Sequence, residues 1–167
     1  NDELSDSWTK FKVANYIDVD SEFGRLTNLY KFNNKLFFWQ DNSFGVLSVN
    51  ERSLMKDNNH TELVLGTSGI LTRFDYISTS NGFKYGIIGG ITNSDKSLYW
   101  YDSDRAEMVV YGGSVESLSK LKGIQSLLNK SKASINSTGN NIPMIHDKTY
   151  NEIMISLDGI GDATSIE

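Results

Sequence analysis

The chain has 167 residues, a formal charge of −5 from 16 Lys and Arg against 21 Asp and Glu, no cysteine and one proline. The lack of cysteine excludes disulfides, zinc–thiolate sites and thiol nucleophiles, and an acidic balance without a basic run argues against nucleic-acid binding, which needs clustered cations on the phosphates. The length suffices for one domain burying roughly 70% of its unfolded surface, and no stretch approaches the roughly 18 to 20 apolar residues needed to cross a bilayer.

In chain order, Trp8 to Val19 alternates partly and reads as a strand or an extended lead-in. A turn near Glu22-Phe23-Gly24 precedes a strand over Leu26 to Phe32. Asn33-Asn34 then turns the chain into Leu36 to Gln40, and Asp41-Asn42-Ser43 turns it again into Phe44 to Val49. The polar stretch Lys56 to His60 separates this meander from short strands at Glu62 to Gly66 and Ile70 to Tyr76. Asn81-Gly82 has the signature of a type I′ hairpin turn and predicts pairing of Asp75 to Thr79 with Phe83 to Ile91.

Gly86, Gly89 and Gly90 lie beside that last strand, where a missing side chain permits a bulge or close backbone approach. A phosphate loop would need a helix and a lysine to follow. From Ser114 to Lys130, apolar residues recur at spacings of three and four, which predicts one amphipathic helix capped by Ser114, with Gly123 weakening its centre enough to allow two shorter ones. A polar loop over Ser131 to Asn141 leads to a final hairpin of Ile142 to Ile145 with Tyr150 to Leu157.

The pattern of a polar turn followed by an aromatic or β-branched strand recurs at 33–49 and 95–111, and in part at 146–157. One hairpin cannot bury its apolar face alone, so repetition predicts stacked neighbours: a mainly β fold of antiparallel four-stranded modules, β-propeller-like and complete or partial, with one inserted helix near 114–130. The expected organisation is a β region over 1–157 and a polar tail over 158–167. A first residue of Asn1 and that tail suggest a piece of a longer polypeptide.

Chemistry is thinly signalled. His60 and His146 have no partner at metal-ligand spacing, and no Gly-x-Ser-x-Gly elbow is present. Asp18, Asp20 and Glu22, and Asp102, Asp104 and Glu107, form oxygen-rich turns that suit calcium but lack the EF-hand spacing; solvated turn carboxylates are the simpler reading. Paired carboxylates with Trp8, Trp39 and Trp100 would also suit a glycosidase or glycan-binding propeller, against which stands the usual role of strand aromatics in packing. No catalytic, cofactor or metal residue is assigned.

Several phrases together resemble a known family. These are Asp18 to Leu29, Trp39-Gln40 with Phe44 to Asn50, Leu63 to Leu71, Tyr76 to Thr79 before Asn81-Gly82, Leu98 to Asp102, Val110 to Gly113, Leu118 to Ile124 and Asp147 to Glu152. They are similar to the β-propeller parts of tail or muzzle proteins of crAss-like tailed bacteriophages. The resemblance implies a virion structural protein and no enzyme. It implies a place in a ring-shaped oligomer near the portal, with other tail or portal-vertex proteins and copies of itself as partners, in the virion tail and, during assembly, in the host cytoplasm.

Overall fold

The computed structural model describes residues 16–49, 53–56, 62–65, 71–137 and 141–157. The first meander consists of β1 (Leu26–Phe32), β2 (Lys35–Gln40) and β3 (Phe44–Val49). A separate hairpin of β4 (Ser53–Lys56) and β5 (Glu62–Leu65) follows, and β6 (Leu71–Ser78) then returns to complete an antiparallel sheet of order β1-β2-β3-β6. Asn33 and Asn34 both take positive φ, 47° and 59°, as the tight turn between Phe32 and Lys35 requires.

The second meander repeats the design with β7 (Ile91–Asn93), β8 (Leu98–Asp102), β9 (Glu107–Tyr111) and β10 (Val115–Ser117), again in sequential order. After it come α1 (Leu118–Leu121), α2 (Gln125–Ser137) and a hairpin of β11 (Met144–Asp147) with β12 (Glu152–Ile155). The described residues thus hold two four-stranded meanders and a hairpin that begins like a third, without a closed ring of sheets.

Period-2 alternation explains why the sheets stack. In β2, Phe37 and Trp39 face the second sheet; in β8, Leu98 and Trp100 face back, and together with Phe32, Phe44, Phe83 and Val109 they form one buried cluster. Trp39 meets Trp100 edge-on at 5.7 Å between ring centroids, and Phe44 lies 4.7 Å from Trp100. Such offset aromatic pairs add about 0.5–1.5 kcal/mol each beyond their area burial.

The other face of the second sheet carries Tyr101 and Met108. These pack with Ala106, Leu128 and Ile142, flanked by Leu118, Ile124, Ile153 and Ile155 from the helices and the last hairpin. The second sheet is therefore a slab between two apolar contacts. Gln125 docks the helical segment, its Nε2 donating to the Ala106 carbonyl at 2.8 Å and its Oε1 accepting from the Ser119 hydroxyl at 2.6 Å.

Several sequence expectations need correction. Asn81-Gly82 is no hairpin turn: neither residue has positive φ, β6 and β7 belong to different sheets, and residues 79–90 form a linker with an irregular course. The amide hydrogens of Gly82 and Phe83 are taken by partners on β8 and β2, and the Phe83 ring is buried, which removes any strand over Phe83 to Ile91 apart from Ile91 itself.

The predicted helix also starts later. Val115–Ser117 satisfies the edge of β9 as a strand, so Ser114 caps nothing, and Ser117 stands at the N-cap of α1 without a side-chain capping bond. Gly123, at φ 72°, separates two helices, and the second runs on through Ser137, where the sequence predicted a loop. Burial of Leu128 and the Gln125 contacts anchor its first turns. The strand expected within Trp8 to Val19 falls largely outside the described residues, as do His60 and the 158–167 tail; residues 16–20 are not in a strand.

Phe44 is fully buried at the centre of the aromatic contact, whereas Leu29 is 49% exposed. Phe44→Ala is expected to cost about 3–5 kcal/mol and Leu29→Ala under about 1 kcal/mol in urea unfolding. Equal effects would contradict the stacking.

Candidate functional site at the joints between sheets

The buried polar side chains gather where one sheet hands the chain to the next. Gln40 closes β2 and Asp102 closes β8, at matching places after an aromatic run. The Gln40 amide has its full set of partners: Nε2 donates to the carbonyls of Asp20 (2.6 Å) and Gly24 (2.9 Å), and Oε1 accepts from the hydroxyls of Ser43 (2.8 Å) and Tyr76 (2.9 Å). The Tyr76 oxygen in turn accepts from the Asp20 amide at 3.1 Å. The segment leading into the first sheet is thereby fastened to the end of its second strand.

The next residue reaches both ways. Asp41 accepts from the Arg25 amide at 3.0 Å with one oxygen and from the Tyr85 amide at 3.1 Å with the other, tying together the segments that lead into the first and second sheets. The Phe83 amide donates to the Gln40 carbonyl at 2.9 Å. Gly82 lies so close to the Asp41 backbone that a Cβ at that position would overlap it, which is why glycine stands there.

Asp102 repeats the device with charge. Its Oδ2 accepts from the Gly82 amide at 3.3 Å, and its Oδ1 accepts from the amides of Asp104 (3.1 Å) and Arg105 (3.2 Å). Burial pushes its carboxyl above the ordinary 3.8, opposed by the amide bonds from Arg105 and Gly82 and by the Arg105 charge, with Nε 3.9 Å away. Burial, with the Asp102 charge beside it, also raises the Tyr101 phenol to about 12. At the following joint the Ile142 amide donates to the Ile88 carbonyl at 2.9 Å. Gly89, at φ 84°, is packed against Ile142, so its close approach is to a linker and not to a hairpin strand.

The residues singled out from sequence are dispersed. Asp20 caps the 3-10 turn Ser21–Phe23, Asp104 pairs with Lys84 at 2.9 Å, and Glu107 pairs with Lys120. Lys84 is held above its ordinary value chiefly by the Asp104 hydrogen bond. His146 Nε2 lies 3.2 Å from the Asn151 amide oxygen in the β11–β12 turn. Among the described residues, no group of three or more His, Cys, Asp or Glu gathers around a common point. Trp39 and Trp100 are completely buried and cannot stack on a sugar; Trp8 lies outside the described residues. No helix of the described residues is long and apolar enough to cross a membrane.

Sequence reading did not single out Gln40, Asp41 and Asp102 together. The signal was present: a polar residue ends the aromatic strand in both repeats, where alternation points it at the preceding linker.

These features define a β protein of serially stacked antiparallel meanders, with its buried polar chemistry spent on the joints. The chain belongs to the family described as Crassvirus muzzle protein, which matches residues 1–164. It is also similar to the muzzle protein of Bacteroides phage crAss001, 24% identical over 153 residues that cover 89% of this chain and 11% of that protein. The chain thus spans about a ninth of its relative's length.

Two substitutions test the joints. Gln40→Leu keeps the volume but strands two carbonyls and two hydroxyls; since each unpaired buried group costs about 1–3 kcal/mol, a loss of at least about 2 kcal/mol is expected in urea unfolding. The Asp102 carboxyl binds protons more tightly folded than unfolded, so its contribution is fully present below its unfolded value and is lost as pH rises through the folded one. The native protein should therefore gain stability relative to Asp102→Asn as pH falls from 7 towards 4; a gap that stays constant would contradict the raised value.

Proposed function

We propose that the chain is a structural component of a bacteriophage virion, part of a tail or portal-proximal assembly, and that its task is to present rigid protein–protein interfaces. The stacked meanders would be blades of a propeller-like body, and copies of the chain together with other tail or portal-vertex proteins would complete a ring-shaped oligomer. On this reading it is no enzyme; it resides in the virion tail and, during assembly, in the host cytoplasm. Membership of the muzzle family supports the virion assignment.

The observation that carries the mechanical reading is the use of the side chains best suited to chemistry. Gln40, Asp41 and Asp102 are committed to backbone amides and carbonyls of the linkers, and Trp39 and Trp100 are committed to the contact between sheets. A glycosidase needs two carboxylates converging at a pocket with exposed aromatics. Asp20, Asp104 and Glu107 instead serve separate turns and ion pairs. Rigidity follows because each linker is fastened at several points, and a rigid interface loses little conformational entropy on assembly.

Immunogold labelling of purified particles with antibodies against this chain tests the assignment. Label concentrated at the tail vertex is the expected result. Absence of the chain from purified particles, or turnover of an oligosaccharide by the isolated chain, would contradict it.

A further inference from the structure

Asn81-Gly82 is not used as a hairpin turn, and the pair carries a chemistry of its own. In an Asn–Gly pair the glycine backbone nitrogen attacks the asparagine Cγ. The N–Cγ bond forms, the Cγ–Nδ2 bond breaks, and ammonia leaves with the proton that the glycine nitrogen gives up. Water then opens the resulting succinimide at either carbonyl, leaving aspartate or isoaspartate. Glycine favours the step because it has no side chain to shield the nitrogen and its backbone turns freely.

The fold withholds each requirement. Gly82 is buried, and its amide donates to Oδ2 of the buried Asp102 at 3.3 Å; a carboxylate beside the nitrogen opposes the negative charge that the nitrogen must develop to attack. Asn81 Oδ1 accepts from the hydroxyls of Ser78 and Ser80, both at 3.2 Å, and the Asn81 amide donates to the Ser78 oxygen at 3.2 Å, so the side chain is held by the residues before it. The peptide plane cannot swing either. Gly82 packs too closely on the Asp41 backbone for even a Cβ, and the Phe83 amide donates to the Gln40 carbonyl at 2.9 Å.

These restraints come from both sheets. Asp102 ends β8, Gln40 ends β2 with Asp41 next to it, and Ser78 ends β6. Parting of the sheets therefore frees the nitrogen and its proton together. After conversion the joint no longer closes as before: isoaspartate adds a methylene to the main chain beside a glycine with no room to shift, and either product places a new carboxylate next to the amide that Asp102 holds.

We propose that Asn81 is a latent modification site, deamidated when the joint between the two sheets opens and kept intact by Asp102 acting as a latch on the Gly82 amide. The conversion is one-way, so it records opening and leaves the joint looser.

The test incubates the full chain at pH 8 beside a synthetic peptide of residues 77–86, which has no fold to protect it, and follows conversion at residue 81 by peptide-mapping mass spectrometry. The folded chain should convert at least about tenfold more slowly than the peptide. Asp102→Leu, which removes the acceptor, should convert at least about tenfold faster than the native chain, and Asp102→Asn, a neutral acceptor of the same shape, at least about threefold faster. Leu128→Ala loosens the other buried cluster and should stay within about twofold of native. The converted chain, separated by ion exchange, should unfold at lower urea than the native one. If Asp102→Leu does not fold, Asp102→Asn decides. Conversion of the native chain at the peptide's rate overturns the proposal, as do unchanged rates in the Asp102 variants that fold. Equal acceleration by Leu128→Ala also overturns it, since general instability would then be the cause. A converted chain as stable as the native one overturns the one-way loosening.

Discussion

The edge-on meeting of Trp39 and Trp100 is the contact on which the rest of the molecule depends. A four-stranded meander of this size has one face to bury and too few residues to bury it internally. Here the face of the first sheet is buried by the second, and the reverse face of the second by α1, α2 and the last hairpin. Stability is consequently serial. Each sheet is supported by its neighbour, and large aromatic side chains supply the area that short strands cannot.

Serial stacking creates a difficulty that the polar residues solve. The chain must cross from one sheet to the next through segments with no ladder of their own, and their backbone groups still need partners. Gln40 and Asp102 supply them from strand ends, and Asp41 from the turn that follows Gln40. Asp102 gives up solvation to do so, which is visible in its raised carboxyl, and the three amides it accepts are the compensation. The same strategy at successive joints makes the handover between sheets a repeatable unit, suited to a body extended by adding modules.

Much of this was legible in the sequence. Leu26 to Phe32 and Phe44 to Val49 were readable to the residue because polar turns bound them and β-branched or aromatic residues fill them. The recurrence of the turn and strand at 33–49 and 95–111 carried the two meanders. Asn81-Gly82 misled because its local preference for a tight turn is weaker than the capture of the Gly82 and Phe83 amides by residues some 20 and 43 positions away, contacts that no local pattern encodes. Val115 to Ser117 misled because a helical spacing of apolar residues does not reveal that β9 lies alongside with an unpaired edge.

The joint residues were hidden for the same reason. Gln40 and Asp102 look like ordinary turn-flanking polar residues until the linkers fold over them. The central claim is that two separate sheets are held together through their aromatic faces, and a double-mutant cycle between Trp39→Ala and Trp100→Ala, measured by urea unfolding, tests it most directly. Side chains in contact across the joint should show a coupling energy of at least about 1 kcal/mol. Additivity within about 0.3 kcal/mol would mean that the two sheets do not rely on each other, and the account would be wrong.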